Sequence, residues 1–275
     1  MKIKAFAFDM DGTLLLSDGS GIHPENMKVL KEANAAGYKI ILATGRPVCM
    51  TKESAEQIGE ISHLVCNNGG SLFDMDKDEN ISKSFLTYEL FEKVIELAKE
   101  TKSFFAMSTT ESIYRLNFFD ETEVPEWVKT SFNESNGSNT IDSIKEAAKT
   151  EKITQLTIKN SKELIKAKRD ELHPEFSQYA SLHIANDVYL DMNPKGVSKL
   201  TGLQEVADAL GIDISEIMAF GDSGNDVQMI KGSGYGVAMG NANDEAKEAA
   251  DEVIGHHDTD AIGKKIKEVI ANQSK

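Results

Sequence analysis

Two cysteines in 275 residues, Cys49 and Cys66, are too few for a disulfide framework. Both read as small buried hydrophobes. Positive charge is also scarce: 30 Lys and Arg against 45 Asp and Glu leave a net charge of −15. That balance argues against nucleic acid and anionic membranes as partners, because both attract basic patches. No run of 18 or more apolar residues occurs and no apolar segment opens the chain, so neither a membrane span nor a signal peptide is expected, and the expected compartment is cytoplasmic. The Asn-x-Ser triplets at 133–135 and 136–138 carry no weight in such a chain. Internal repeats and low-complexity tracts are missing too. What is left is 40% hydrophobic and 27% charged residues, a globular composition long enough for one large domain or two ordinary ones.

The first stretch alternates strand and helix. The apolar run 3–8 reads as a buried strand, Pro24 opens a helix closed by Gly37, and residues 38–43 form a second strand. Pro47 starts another helix, and residues 63–66 are a third strand ending in Asn67-Asn68-Gly69-Gly70. This order implies an α/β fold with a doubly wound, Rossmann-like parallel sheet, in which ligands bind beyond the carboxyl ends of the strands. From 82 to 188 the texture changes to helices at 88–101, 124–132, 141–148 and from 161, with strands at 104–108, 113–116, 153–158 and 179–184. Several of these strands alternate polar and apolar residues, as in a sheet with one open face. The αβ rhythm resumes with a helix at 198–210 and strands at 217–220, 236–239 and 252–254. The expectation is a discontinuous core, 1–81 plus 189–275, carrying an inserted α+β domain at 82–188. Oligomeric state is not legible at this level.

The most informative segment is Asp9-Met10-Asp11-Gly12-Thr13, directly behind the first strand. In extended backbone side chains repeat every second residue, which would put Asp9 and Asp11 on one face at the rim of the sheet. Two anions that close repel unless a cation sits between them. Gly12 allows a tight turn and Thr13 adds a hydroxyl and an amide. Three other strand-end or loop features could converge there: Thr44 with Gly45 and Arg46, Lys195, and Asp222 with Asn225 and Asp226. Together they supply carboxylates for a hard divalent metal, donors for phosphate oxygens and a cation for developing negative charge, the requirements of phosphoryl transfer.

Asp9-Met10-Asp11-Gly12-Thr13, Thr44-Gly45-Arg46, Pro194-Lys195-Gly196 and Gly221-Asp222-Ser223-Gly224-Asn225-Asp226 resemble the four ordered motifs of the haloacid dehalogenase superfamily. The insert between the second and third motifs is similar to the cap of the Cof-type, class IIB subgroup, as are Gly236–Ala242 and Asn68-Gly69-Gly70. Met10 and Gly70 stand where Leu and Ala are usual. The resemblance implies that Asp9 attacks phosphorus and that Asp11 protonates the leaving oxygen, then deprotonates the attacking water. It implies Mg²⁺ held by the Asp9 and Asp222 carboxylates and the Asp11 carbonyl, with Asp226 orienting this shell or Lys195. Thr44, Gly45, Lys195 and Asn225 would grip the phosphoryl oxygens, with Arg46 and Asn68 within reach of substrate. Lys195→Ala is expected to cost rate more than stability. The insert would act as a lid hinged near 80–84 and 186–191.

Other readings fail on context. Gly221-Asp222-Ser223-Gly224 imitates a serine-protease nucleophile but follows a parallel-sheet strand. Asp74–Asp78 starts like a calcium loop, yet Glu79 and Phe85 stand where Gly and Glu are required, leaving a hairpin tip. Gly232–Gly236 precedes a strand instead of opening a helix. His256-His257 is a tempting metal pair, but neighbours on extended chain point apart. The expectation is therefore a Mg²⁺-dependent phosphatase of small phosphomonoesters, sugar phosphates first, with flavin mononucleotide or pyridoxal phosphate as alternatives. A phosphomutase and a non-enzymatic sugar-phosphate sensor are the rival functions.

Overall fold

A computed structural model describes residues 2–119, 139–185 and 187–273. The chain divides into two compact units, Met1–Ser82 with Ser198–Lys275, and Lys83–Val197.

In the first unit the described residues form an eight-stranded sheet. In chain order its strands are β1 (Ala5–Phe8), β2 (Lys39–Ala43), β3 (His63–Cys66), β4 (Ser71–Asp74) and β5 (Glu79–Asn80), then β11 (Ile217–Gly221), β12 (Tyr235–Ala238) and β13 (Glu252–Val253). The spatial order is β13-β12-β11-β1-β2-β3-β4-β5. All pairs from β13 to β3 are parallel, and β4 and β5 form an antiparallel hairpin whose tip is the 74–78 segment. The chain runs outward from β1 through β2 to β3 on one side and from β11 through β12 to β13 on the other. The topological switch point therefore lies between β1 and β11, paired Ala5↔Ile217 through Phe8↔Phe220.

The sequence of β1, Ala-Phe-Ala-Phe, shows why this strand sits at the centre. Phe6 and Phe8 join the core formed with Val29, Leu30 and Ala33 of helix α1 (Pro24–Ala35) and with Ile262 and Ile266 of the C-terminal helix (Ala261–Gln273). Ala5 and Ala7 face the other side, against Leu203, Val206 and Ala207 of the helix Lys199–Leu210. Both faces are covered, so all four residues are buried. Phe8 stacks on Phe220 at a centroid separation of 4.7 Å. The helix Val48–Ile58 begins behind Pro47 and ends at Gly59, whose φ of 82° is the left-handed C-cap glycine tolerates. Of the two cysteines, Cys66 is buried as expected but Cys49, on the outer side of this helix, is exposed.

The second unit is an antiparallel five-stranded sheet: β6 (Phe104–Thr109), β7 (Ile113–Asn117), β8 (Ile153–Lys159), β9 (Ala180–Ala185) and β10 (Tyr189–Pro194), in the order β7-β6-β8-β10-β9. The helices Tyr88–Glu100, Ile141–Thr150 and Lys162–Phe176 cover one face through Phe91, Val94, Ile144 and Ile165. The insert runs to Val197 instead of ending at 188, because β10 pairs with β8 and β9 and completes this sheet. Its polar, proline-ended sequence hides it as a strand. The alternation of polar and apolar residues holds, but the polar face is not open: Gln155, Thr157, Asp191 and Asn193 are all buried. Thr157 Oγ1 donates to Asp191 Oδ1 (2.7 Å), and burial pushes the Asp191 carboxyl up to about 6. The expected helix at 124–132 lies outside the described residues.

Candidate active site

The expected site residues of the first unit gather at the carboxyl ends of β1, β2, β3 and β11. The Asp9 amide still follows the sheet, donating to Phe220 O at 2.9 Å. The chain then leaves extended geometry and winds through Met10–Leu14, with Leu15 N–H donating to Met10 O. Gly12 takes a φ of +81°, and a Cβ there would lie 2.5 Å from Asp222 Oδ2. Only glycine meets both demands. Asn241 holds the turn from outside, its Nδ2 donating to Gly12 O at 2.7 Å.

This winding separates the two aspartates that extended backbone would have kept together. Asp9 turns inward and is 5% exposed. Asp11 lies on the rim, its side chain 60% exposed, in a two-pronged pair with Arg46: Nε to Oδ2 at 2.8 Å and Nη2 to Oδ1 at 2.5 Å.

The cation beside Asp9 is Lys199, not Lys195. Lys199 Nζ lies 2.5 Å from Asp9 Oδ1 and 2.7 Å from Asp226 Oδ1, with its side chain fully buried. Lys195 is exposed, in the turn that follows β10. The reason is helical geometry. Ser198 caps the helix Lys199–Leu210, accepting from Thr201 N–H, and the buried stripe runs 199, 203, 206 and 207, spacings of four, three and one. The first helical residue therefore points along the face that packs on the sheet. Gly202, on the same side, allows that approach: a Cβ there would lie 2.7 Å from Val65 Cγ1 and 3.0 Å from Gly69 Cα. That stripe was readable in the sequence, and the Pro-Lys-Gly motif was the weaker signal.

Asp226 is spent on structure. Its Oδ1 takes Lys199, and its Oδ2 accepts from the Asp222 and Ser223 amides, both at 3.0 Å. Gly221 makes room for it, since a Cβ there would lie 2.5 Å from Asp226 Cβ. Asp222 accepts at Oδ1 from Thr13 Oγ1 (2.8 Å) and lies within hydrogen-bonding reach of the Asp9 carboxyl. Burial raises Asp9 well above the ordinary carboxylate range against the pull of Lys199, and raises Asp222 as well. The attraction of Asp226 and Asp9 outweighs desolvation at Lys199 and keeps its ammonium charged.

Asp9, Asp222 and Asp226 each bring an oxygen within 4.8 Å of the others. Three carboxylates facing one ammonium leave an excess of negative charge. Two of them, Asp9 and Asp222, approach closely enough to share a hydrogen bond, which like-charged groups tolerate with a proton or a cation between them. An all-oxygen set of this kind fits a hard dication. Because both Asp226 oxygens are already committed, Asp9 and Asp222 are the better ligands and Asp226 their support.

The remaining expected residues line the same rim. Thr44 is buried at the end of β2 and is not a helix cap: its Oγ1 accepts from Arg46 N–H (3.1 Å). Gly45 passes close to Asn68, where a Cβ would lie 3.3 Å from Oδ1. Asn68, with a left-handed φ of 53°, accepts at Oδ1 from Asn225 Nδ2 (2.9 Å), so the ends of β3 and β11 are tied together. The fold thus collects Asp9, Asp222, Asp226, Thr44, Gly45 and Asn225, adds Lys199 and Thr13, and turns Arg46 onto Asp11.

The family model for haloacid dehalogenase-like hydrolases matches residues 6–266. The chain is 30% identical over 267 residues to the 5-amino-6-(5-phospho-D-ribitylamino)uracil phosphatase YcsE of Bacillus subtilis, covering 96% of this chain and 95% of that one. It resembles the solved structure of the phosphatase BT1666 from Bacteroides thetaiotaomicron with a TM-score of 0.80 at 29% identity, covering 98% and 95% of the two chains. The subclass IIB sugar phosphatase BT4131 also matches, with a TM-score of 0.80 at 27% identity over 96% and 98%. The matches run along nearly the whole length, and the chain belongs to the haloacid dehalogenase-like hydrolases as a phosphatase of that superfamily.

Proposed function

We propose that the protein is a Mg²⁺-dependent phosphatase of small phosphomonoesters whose leaving group is a sugar or polyol, working through an aspartyl-phosphate on Asp9. The observation that carries this reading is the buried Asp9 carboxylate at the sheet's switch point, one oxygen on Lys199 and the other side open to Asp222. Two of the relatives are named for a phosphoribitylamino compound and for sugar phosphates, which supports a phosphorylated polyol or sugar as the substrate.

Asp9 attacks phosphorus, forming one P–O bond as the bond to the leaving oxygen breaks. Asp11 supplies the proton that the departing alkoxide needs, then takes one from the water that attacks the phosphoryl group and frees Asp9 with inorganic phosphate. Its pair with Arg46 must open for either transfer, which makes Arg46 a positioning residue for the acid. Lys199 balances the negative charge around the nucleophile and holds Asp9 in one rotamer through Asp226. Thr44, the Gly45 amide and Asn225 take the phosphoryl oxygens. Asp9 and Asp222 would hold Mg²⁺, which when bound supplies electrostatic stabilisation to the phosphoryl oxygens and keeps Asp9 ionised despite its burial.

Phosphate release across sugar phosphates, polyol phosphates, nucleotides and phosphorylated cofactors tests this, with Mg²⁺ or chelator and with Asp9→Asn beside the wild type. Release that needs both Mg²⁺ and Asp9, strongest on the polyol and sugar esters, is expected. Turnover by Asp9→Asn at the wild-type rate would refute the covalent mechanism, and a preference for nucleotides would refute the substrate class.

A further inference from the structure

The sequence pair His256-His257 is not part of the phosphatase site, and the expectation that the two side chains point apart is not met. The chain turns at residues 257–260, with Thr259 N–H donating to His256 O at 3.0 Å. The two imidazoles lie side by side, centroids 4.7 Å apart. Asp258 reaches back to both: Oδ2 is 3.6 Å from His256 Nδ1 and Oδ1 is 3.8 Å from His257 Nε2. One ligand-capable atom from each of the three residues lies within 4.8 Å of the other two.

Two of the three are fixed from behind. His257 Nδ1 is 2.7 Å from Leu15 O, and a carbonyl oxygen can only accept, so that nitrogen carries the proton. The other ring nitrogen, Nε2, is the one on the side of Asp258 and is the atom left for a ligand. Asp258 is in turn held by Ser17, whose amide donates to Oδ1 at 2.8 Å and whose hydroxyl donates to Oδ2 at 2.6 Å. When Nε2 carries no proton, its lone pair and the carboxylate 3.8 Å away are both electron-rich, and a cation between them would bind both. A ring N–H spent on a backbone carbonyl, next to a carboxylate steadied by a hydroxyl, is the outer-shell arrangement that orients metal-ligating residues.

We propose that His256, His257 and Asp258 form a second metal site, separate from the carboxylate site, that takes a borderline transition-metal dication such as Zn²⁺ in preference to Mg²⁺. Imidazole nitrogens suit Zn²⁺, Ni²⁺ and Cu²⁺, whereas Mg²⁺ prefers oxygen. Bonds of 2.0–2.2 Å in a tetrahedral shell set donor–donor edges of about 3.4 Å. His257 Nε2 is already near that length from Asp258 Oδ1, and the half-exposed His256, now 3.6 Å from the other oxygen, can turn to close the remaining edges. Its present contact from the Asp258 amide is long, 3.3 Å, and ligation replaces it.

The test is a Zn²⁺ titration in excess Mg²⁺, followed by calorimetry and by the histidine ring proton NMR signals. It compares the wild type, His256→Ala and Asp222→Asn. One equivalent is expected to bind the wild type and Asp222→Asn alike, moving the His256 and His257 signals together, and to bind His256→Ala at least tenfold more weakly. Absence of uptake, uptake with those two signals unmoved, or equal uptake by His256→Ala overturns the proposal. Loss of uptake with Asp222→Asn instead would assign the zinc to the carboxylate site and overturn it as well.

Discussion

Replacing Lys199 by methionine keeps most of the aliphatic stem and removes the ammonium, which isolates the charge at the nucleophile. Asp9 and Asp226 would then be left buried with no cation at 2.5 and 2.7 Å. Breaking a buried pair from one side costs about 3–5 kcal/mol, because the surviving charge is stranded in a medium that solvates it poorly. Here one lysine serves two carboxylates, so the upper part of that range is expected in chelator, read from urea unfolding. The deficit depends on pH with a definite sign. Asp9 already titrates above its ordinary range, and removing the lysine raises it further, so the folded variant holds a proton that the unfolded chain gives up. The loss is therefore largest at pH 8 and shrinks as the pH falls toward 5. Turnover should fall at least about 10²–10³-fold, the cost of removing one preorganised charge-stabilising donor. The exposed Lys195 provides the control: Lys195→Ala should stay within about 0.5 kcal/mol of the wild type. Wild-type stability and turnover in Lys199→Met, with collapse in Lys195→Ala, would refute this assignment.

Gly12→Ala combines a left-handed φ with a contact of 2.5 Å to Asp222 Oδ2; a loss of about 1–3 kcal/mol and weaker Mg²⁺ binding are expected, measured by thermal unfolding and calorimetry. Mg²⁺ at a hundredfold excess over its Kd should stabilise the protein by about 2.7 kcal/mol, a gain that Asp222→Asn abolishes. Because burial raises both Asp9 and Asp222, binding must displace protons, so Mg²⁺ affinity should rise with pH, as calorimetry in buffers of different ionisation enthalpy would register. Asp191 titrates near 6 in the folded protein against an ordinary 3.8, so its penalty appears as pH rises from about 4 to about 6 and reaches about 3 kcal/mol above that. Asp191→Asn should remove that slope from a plot of unfolding free energy against pH and leave the neutral-pH protein more stable.

Local signals reached far in this chain. Pro24, Gly37, Pro47, Ser198 and Gly211 mark helix ends because their preferred backbone angles and missing or added donors act within a few residues, and the helices beside them are where those residues imply. The Ala-Phe alternation of β1 announces a strand buried on both faces, and Asp9, Thr44 and Asp222 follow strands whose order makes them neighbours. Contacts between distant segments were less legible. β10 escaped notice because Asp191 and Asn193 look like loop residues until Thr157 and Gln155 partner them across the sheet. The sequence by itself determined the fold class, the helix caps and the cluster of acids beyond the strand ends, since each rests on periodicity or on one residue's covalent geometry. Tertiary structure alone decided that Asp9 meets Lys199 across 190 positions while Asp11 turns away to Arg46, and that His256 and His257 face one carboxylate. Those choices depend on how a tight turn aims a side chain and on what a packed neighbour leaves as the remaining partner, and neither is a property of any short stretch of chain.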